Sequence, residues 1–152
     1  MDPISLRPAG AAANIESFHR QQVHKNFVIN EKPGIVLGQK YTPIEKAGVY
    51  VPGGTAAYPS TVLMDVIPAK VAGVSEIVMT TPAGKDGRVN PVILAAAATA
   101  GVTKIFKTGG AQAVAALAYG TQTIPRWTRS SAPATSTLPP PSGRCSARWA
   151  LI

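Results

Sequence analysis

The chain has 152 residues, a net charge of +8, 45% apolar residues and only 14% charged ones. That length fits one domain with a real core; no apolar run approaches the roughly 20 residues that span a bilayer, and no apolar segment of signal-peptide type follows Met1-Asp2-Pro3, so no membrane association and a cytoplasmic location are expected. A single cysteine, Cys145, excludes an internal disulfide and a cysteine-based metal cluster.

In chain order, residues 1–10 carry prolines and a glycine without periodicity and read as a loose arm. Residues 11–46 read as a leading helix and short strands. Ala11 to Asn26 is the helix, on a partial stripe of Ile15, Phe18, Gln22 and Val23. His19 and His24 lie five apart, not at the i, i+4 spacing that converges two imidazoles on a metal, and read as solvated. Pro33-Gly34 breaks the chain, and Ile35-Val36-Leu37 with Lys40-Tyr41-Thr42 reads as a short strand pair.

Residues 47–125 repeat one unit. A β-branched run, Val49-Tyr50-Val51, meets Gly53-Gly54; Ser60, after Pro59, is the expected N-cap of a helix through Leu63, Met64 and Ile67, which Pro68 should kink or end. Val74 to Thr80 is the second strand, nearly continuous in apolar character as fits a strand buried on both faces. After a polar loop at 81–88, Asn90-Pro91 pairs a capping side chain with a proline suited to the first helical position, and Gly101 ends that helix. Lys104 to Lys107 is the third strand. Gly109-Gly110 then opens an alanine-rich helix that stops near Tyr119-Gly120. Alternating strands and helices imply an α/β fold with a parallel sheet and right-handed crossovers. A strand that runs through glycines into a helix start suits phosphate binding, because the backbone can come close and the first N–H groups point at the anion.

From Arg126 the text loses both periods. Residues 126–152 hold four arginines and no acid, both tryptophans, the cysteine and Pro139-Pro140-Pro141, and read as an irregular, disordered tail.

The central stretch resembles the histidinol dehydrogenase family. The resemblance is carried by Gly48-Val49-Tyr50-Val51-Pro52-Gly53-Gly54, by Pro59 to Met64, by Gly109-Gly110-Ala111-Gln112-Ala113 and on to Thr121, and by Ala13 to His19. It implies an incomplete Rossmann-like sheet with flanking helices. It also implies oxidation of L-histidinol to L-histidine in two hydride transfers, with NAD and a bound zinc, in a homodimer. Two nucleotide contacts of the family match Tyr50 and Gln112. By themselves, Tyr50 reads as a half-buried strand aromatic and Gln112 as a polar residue at a helix start; the common Gly-x-Gly-x-x-Gly fingerprint is absent.

After Arg126 the family text should continue much as V-D-K-I-V-G-P-G-N-I-Y-V-A-T-A-K-R, and it does not. One choice of codons for the tail from Trp127, with one nucleotide restored after the Arg126 codon, reads as that string and then A-V-F-G-T-V-G-I-D. Each restored codon has two of its three bases largely dictated by the tail, so few residue types fit at any position. Trp127 to Ile152 therefore reads as an out-of-frame translation. The family's Gly-Pro-Gly-Asn asparagine would be encoded across Ala134 and Thr135, and its zinc ligands and catalytic Glu-His pair have no counterpart, so no turnover, no catalytic or metal-binding residues and at most weak NAD binding are expected.

Two other readings stay open. One is a small nucleic-acid-binding protein whose Arg129, Arg144 and Arg148 meet phosphates while Trp127 and Trp149 stack on bases. The other is part of a related NAD-dependent dehydrogenase acting on a different small alcohol.

Overall fold

A computed structural model describes residues 3–53, 57–127 and 129–131. The chain opens with α1 (Pro3–Arg20), then a hairpin of β1 (Phe27–Lys32) and β2 (Ile35–Gln39). Four strands follow, alternating with three helices: β3 (Lys46–Tyr50), α2 (Pro59–Val71), β4 (Glu76–Thr80), α3 (Pro91–Ala100), β5 (Lys104–Phe106), α4 (Gly110–Tyr119) and β6 (Arg129–Ser131). These strands form one parallel sheet in the order β5-β4-β3-β6. The first three progress outward from β3, and the chain then crosses to the other side of β3. That reversal is the topological switch of doubly wound sheets, and it gives the expected α/β, Rossmann-like class.

Alternation along each strand divides the core. Val49, Ile77 and Met79 face α2 and α3, where Val62, Val66, Ile93, Ala96 and Ala97 complete a densely buried cluster. Ala12 and Ile15 of α1 pack on the outside of that layer. Val78 faces the opposite way, toward Leu117 of α4, with Ile124 and Trp127. Gly48 shares this second face: a Cβ there would lie 2.9 Å from the Leu117 side chain, so glycine lets α4 approach the sheet. At the amino ends of the strands Glu76 bridges Lys46 (3.4 Å) and Lys104 (3.1 Å). The Lys104 hydrogen bond, followed by the Lys46 pairing, holds its carboxyl below the usual range.

Several local expectations give way to packing. Helix α1 begins at Pro3, where a loose arm was expected to residue 10. Pro8 sits inside the helix and is buried, and the alanines around it have high helix propensity. The helix stops at Arg20 rather than Asn26; of the expected stripe only Ile15 packs on the core, while Phe18 and Val23 are exposed. Pro33-Gly34 is the hairpin turn itself, pairing Phe27–Lys32 with Ile35–Gln39 instead of joining Ile35–Leu37 to 40–42. In α2, Pro59 occupies the start and Ser60 does not cap; Tyr58 precedes it with no side-chain bond. The helix passes Pro68 to Val71, because Ile67 is buried and Ala69 and Val71 pack beside it. Asn90 caps α3 as expected, its side chain accepting from the Val92 N–H at 2.9 Å, and Gly101 closes it in the left-handed conformation.

The largest departure is at the start of the expected irregular tail. Trp127 is 2% exposed, and its backbone N–H donates to the Leu117 carbonyl at 2.9 Å. Arg129–Ser131 then pair in parallel with Ala47–Val49. Burial of this ring removes it from any role in stacking on nucleic-acid bases. Residues 132–152, with Trp149, Cys145, Arg144 and Arg148, lie outside the described residues. Among the described residues no helix is long and apolar enough to cross a membrane.

Candidate functional site

The carboxyl ends of β3, β4 and β5 meet at one point. Tyr50 closes β3 and pairs in register with Thr80, which in turn pairs with Phe106. Two bonds lock the exits of the strands: the Val51 N–H donates to the Thr80 carbonyl (2.9 Å), and the Thr81 N–H to that of Phe106 (3.1 Å). Pro82 is wedged between the two glycine loops. A Cβ on Gly53 or on Gly109 would come within 2.6 Å of the Pro82 ring, so neither position tolerates a side chain.

That wedge has a chemical consequence at α4. Its N-cap is Gly109, which offers no side-chain cap, and the Pro82 ring prevents any capping residue from standing there. The first-turn N–H groups are therefore left to other partners. One partner is Tyr50, whose hydroxyl accepts from the Gly110 N–H at 3.2 Å. The Gln112 side chain folds back to the same place: its Oε1 lies 2.7 Å from where a Cβ on Gly110 would stand. Tyr50 and Gln112, 62 residues apart in sequence, thus converge on Gly110. Tyr50 is half-buried and Gln112 exposed. An aromatic hydroxyl, a primary amide and uncapped backbone N–H groups at a strand-end crevice form a donor set suited to a nucleotide. Gly54, the second glycine of the first pair, lies outside the described residues.

Beside this point a cavity of about 410 Å³ opens between the loop after β3 and the loop after β4, lined by Pro52, Gly53, Thr81, Arg88 and Asn90 among others. From the sequence Pro82 reads only as a turn residue of a polar loop, and Arg88 as that loop's end; the wedge depends on contacts among positions far apart in the chain.

The titratable groups lie elsewhere. Asp65, on α2, has a carboxylate oxygen buried without a partner, and burial pushes its pKa up to about 6. It faces a separate cavity of about 490 Å³ shared with His19, His24 and Tyr41. His24 stacks on Tyr41 at 4.8 Å, and His19 meets Gln22 at 2.7 Å, so the two histidines have different partners. Among the described residues no three His, Cys, Asp or Glu side chains are grouped to hold a metal ion.

The histidinol dehydrogenase family model matches residues 8–130. The chain belongs to the histidinol dehydrogenase family. It is 60% identical over 126 residues to the histidinol dehydrogenase of Synechococcus sp., covering 83% of this chain and 28% of that protein. It is 61% identical over 116 residues to that of Chlorobaculum tepidum, covering 76% of this chain and 27% of the relative. The crystal structure of histidinol dehydrogenase from Elizabethkingia anophelis superposes with a TM-score of 0.82 at 37% identity, over 90% of this chain and 32% of that one. The chain thus spans a quarter to a third of the histidinol dehydrogenases it matches, and the fold seen here is one part of theirs.

Proposed function

We propose that this chain is the nucleotide-holding part of a histidinol dehydrogenase. In that reading Tyr50 and Gln112 grip NAD at the carboxyl ends of the strands, and the chain does not itself complete the oxidation of L-histidinol. The observation that carries the reading is the convergence of Tyr50 and Gln112 on the uncapped start of α4. NAD, when bound, supplies the hydride acceptor. The chain's own residues orient it: the Tyr50 hydroxyl keeps a proton free to donate outward, and the Gln112 amide offers both a donor and an acceptor. The zinc, the general base, the small-molecule alcohol and the pairing of two copies belong to the complete cytoplasmic enzyme. The test is direct. Pure chain should bind NAD in a calorimetric titration and form no NADH from L-histidinol with added zinc. Turnover would overturn the reading, and so would equal NAD affinity in the Gln112→Ala variant.

The residues from Trp127 onward belong to the same proposal. They are read as a shifted frame in which the chain leaves the family text while Trp127 and β6 still close the sheet. What supports it is that codons can be chosen for the tail which, shifted by one base, encode the family string through Gly-Pro-Gly-Asn and beyond. Sequencing the source DNA across the codons for Pro125 to Arg129 tests it. An extra base reopens the family frame; an unchanged frame whose codons fail to encode the family string when shifted refutes it.

A further inference from the structure

The cavity of about 490 Å³ that Asp65 lines has the make-up of a small-molecule pocket. Its walls are mostly apolar, with Ile44, Val49, Ala69 and Val74 among them, and a few polar groups stand between these. Asp65 is the one acid on the wall, and the lining residues include no lysine or arginine. One Asp65 oxygen is buried without a partner, and its carboxylate makes no ion pair among the described residues. Burial pushes its pKa up to about 6, as happens where no cation stands beside a carboxylate. Its ionisation therefore costs the fold stability as pH rises through that value. A cavity-lining charge that the fold does not use is the kind of group found at binding sites.

The aromatic part of the wall is held in place. His24 stacks on Tyr41, with ring centres 4.8 Å apart and planes 12° from parallel. Tyr41 is fixed at both ends: its backbone N–H donates to Asn26 Oδ1, and its hydroxyl accepts from Gln39 Nε2, each at 2.7 Å. His19 is tied to Gln22 at 2.7 Å. A carboxylate attracts a cation by charge, and a phenol ring attracts one by its quadrupole. The apolar walls favour a hydrocarbon body joined to that cation. A bare divalent metal ion fits poorly, because it needs several hard oxygen ligands and Asp65 is the only carboxylate on the wall.

We propose that this cavity binds a small protonated amine with an apolar body, its ammonium on Asp65 and its hydrocarbon part against the apolar wall. Neither Tyr50 nor Gln112 lines the cavity, so an amine here and a nucleotide at the strand ends stand or fall separately. The test uses the full chain, titrated calorimetrically at pH 8, where Asp65 is ionised, in wild type and Asp65→Asn. The probes are 2-phenylethylamine and 2-phenylethanol, which has the same body without the charge. The amine should bind wild type about tenfold tighter than the alcohol, and that advantage should vanish in Asp65→Asn. The variant removes an unpaired, partly buried charge and should fold at least as well as the parent, which urea unfolding checks. In wild type the amine should also shift the backbone amide resonances of Asp65, Ala69 and Tyr41 more than the alcohol does. Absence of amine binding, equal affinity of the two probes, an advantage that survives in Asp65→Asn, or resonance shifts confined to other regions would each overturn the proposal.

Discussion

The two faces of the sheet are built to different standards. On the α2/α3 side, Val49, Met79, Val66 and Ala96 are at most 1% exposed, and a further layer from α1 covers the helices. On the α4 side the buried cluster among the described residues is Val78, Leu117, Ile124 and Trp127, under a single helix. Trp127 fills that space imperfectly: its indole N–H is buried with no acceptor, and Lys46 lies 5.9 Å from the ring centre. A buried donor left unpaired costs about 1–3 kcal/mol. The first face is closed by residues of the strand and helix units themselves; the second takes Trp127 from the stretch expected to be an irregular tail. Burial of an aromatic ring is undemanding as to sequence, whereas satisfying its polar atom is not.

The sharpest way to break this contrast is truncation on each face in turn. Met79→Ala, at a fully buried position in the larger cluster, should cost about 3–4 kcal/mol, read from urea unfolding. Leu117→Ala should cost less, about 2–3 kcal/mol, because α4 faces Gly48 and can settle toward the sheet. Equal costs would show that the two faces are packed alike. The next effect is at Asp65 of α2, which has one carboxylate oxygen buried without a partner. Its folded pKa of about 6 lies above the unfolded value near 3.8, so the native state holds the proton more tightly. Stability is therefore complete below about pH 4 and falls as pH rises through 6. Asp65→Asn should stabilise the chain by about 1–2 kcal/mol at pH 7.5, a figure reduced for partial exposure, and by nothing at pH 4. Melting curves at the two pH values check the sign.

How much of this was visible beforehand divides along the same line. Features fixed by neighbours in sequence were legible: the strand-glycine-helix units, the Asn90-Pro91 start, the Gly101 stop and the parallel α/β class. Features fixed by distant contacts were not. Pro8 and Pro68 look like helix breakers, yet both helices continue because their apolar residues have a core to meet. Trp127 looks like part of a structureless tail, yet a vacancy beside Leu117 and Val78 receives it. At the site, Tyr50 and Gln112 entered through the family resemblance, since composition and spacing leave both as ordinary residues. The Pro82 wedge, which forces glycine at 53 and 109 and leaves α4 uncapped, joins three loops that are adjacent only in the fold.

The smallest expected effect tests what that wedge is for. Tyr50→Phe removes the acceptor of the Gly110 N–H and leaves the ring in place. If the bond were a structural tie replacing the missing cap, its loss should cost about as much as losing an N-cap, roughly 1 kcal/mol. The bond is long at 3.2 Å, and Gly110 borders an open crevice where water can replace the hydroxyl. The expected cost is therefore below about 0.5 kcal/mol in urea unfolding. NAD affinity, measured on the same sample, should fall by about tenfold, as expected when a directed hydroxyl donor is lost from a binding site. A large stability loss with unchanged affinity would assign Tyr50 to the fold. A small loss with weakened binding assigns it to the ligand, and makes the bare start of α4 a place kept open for one.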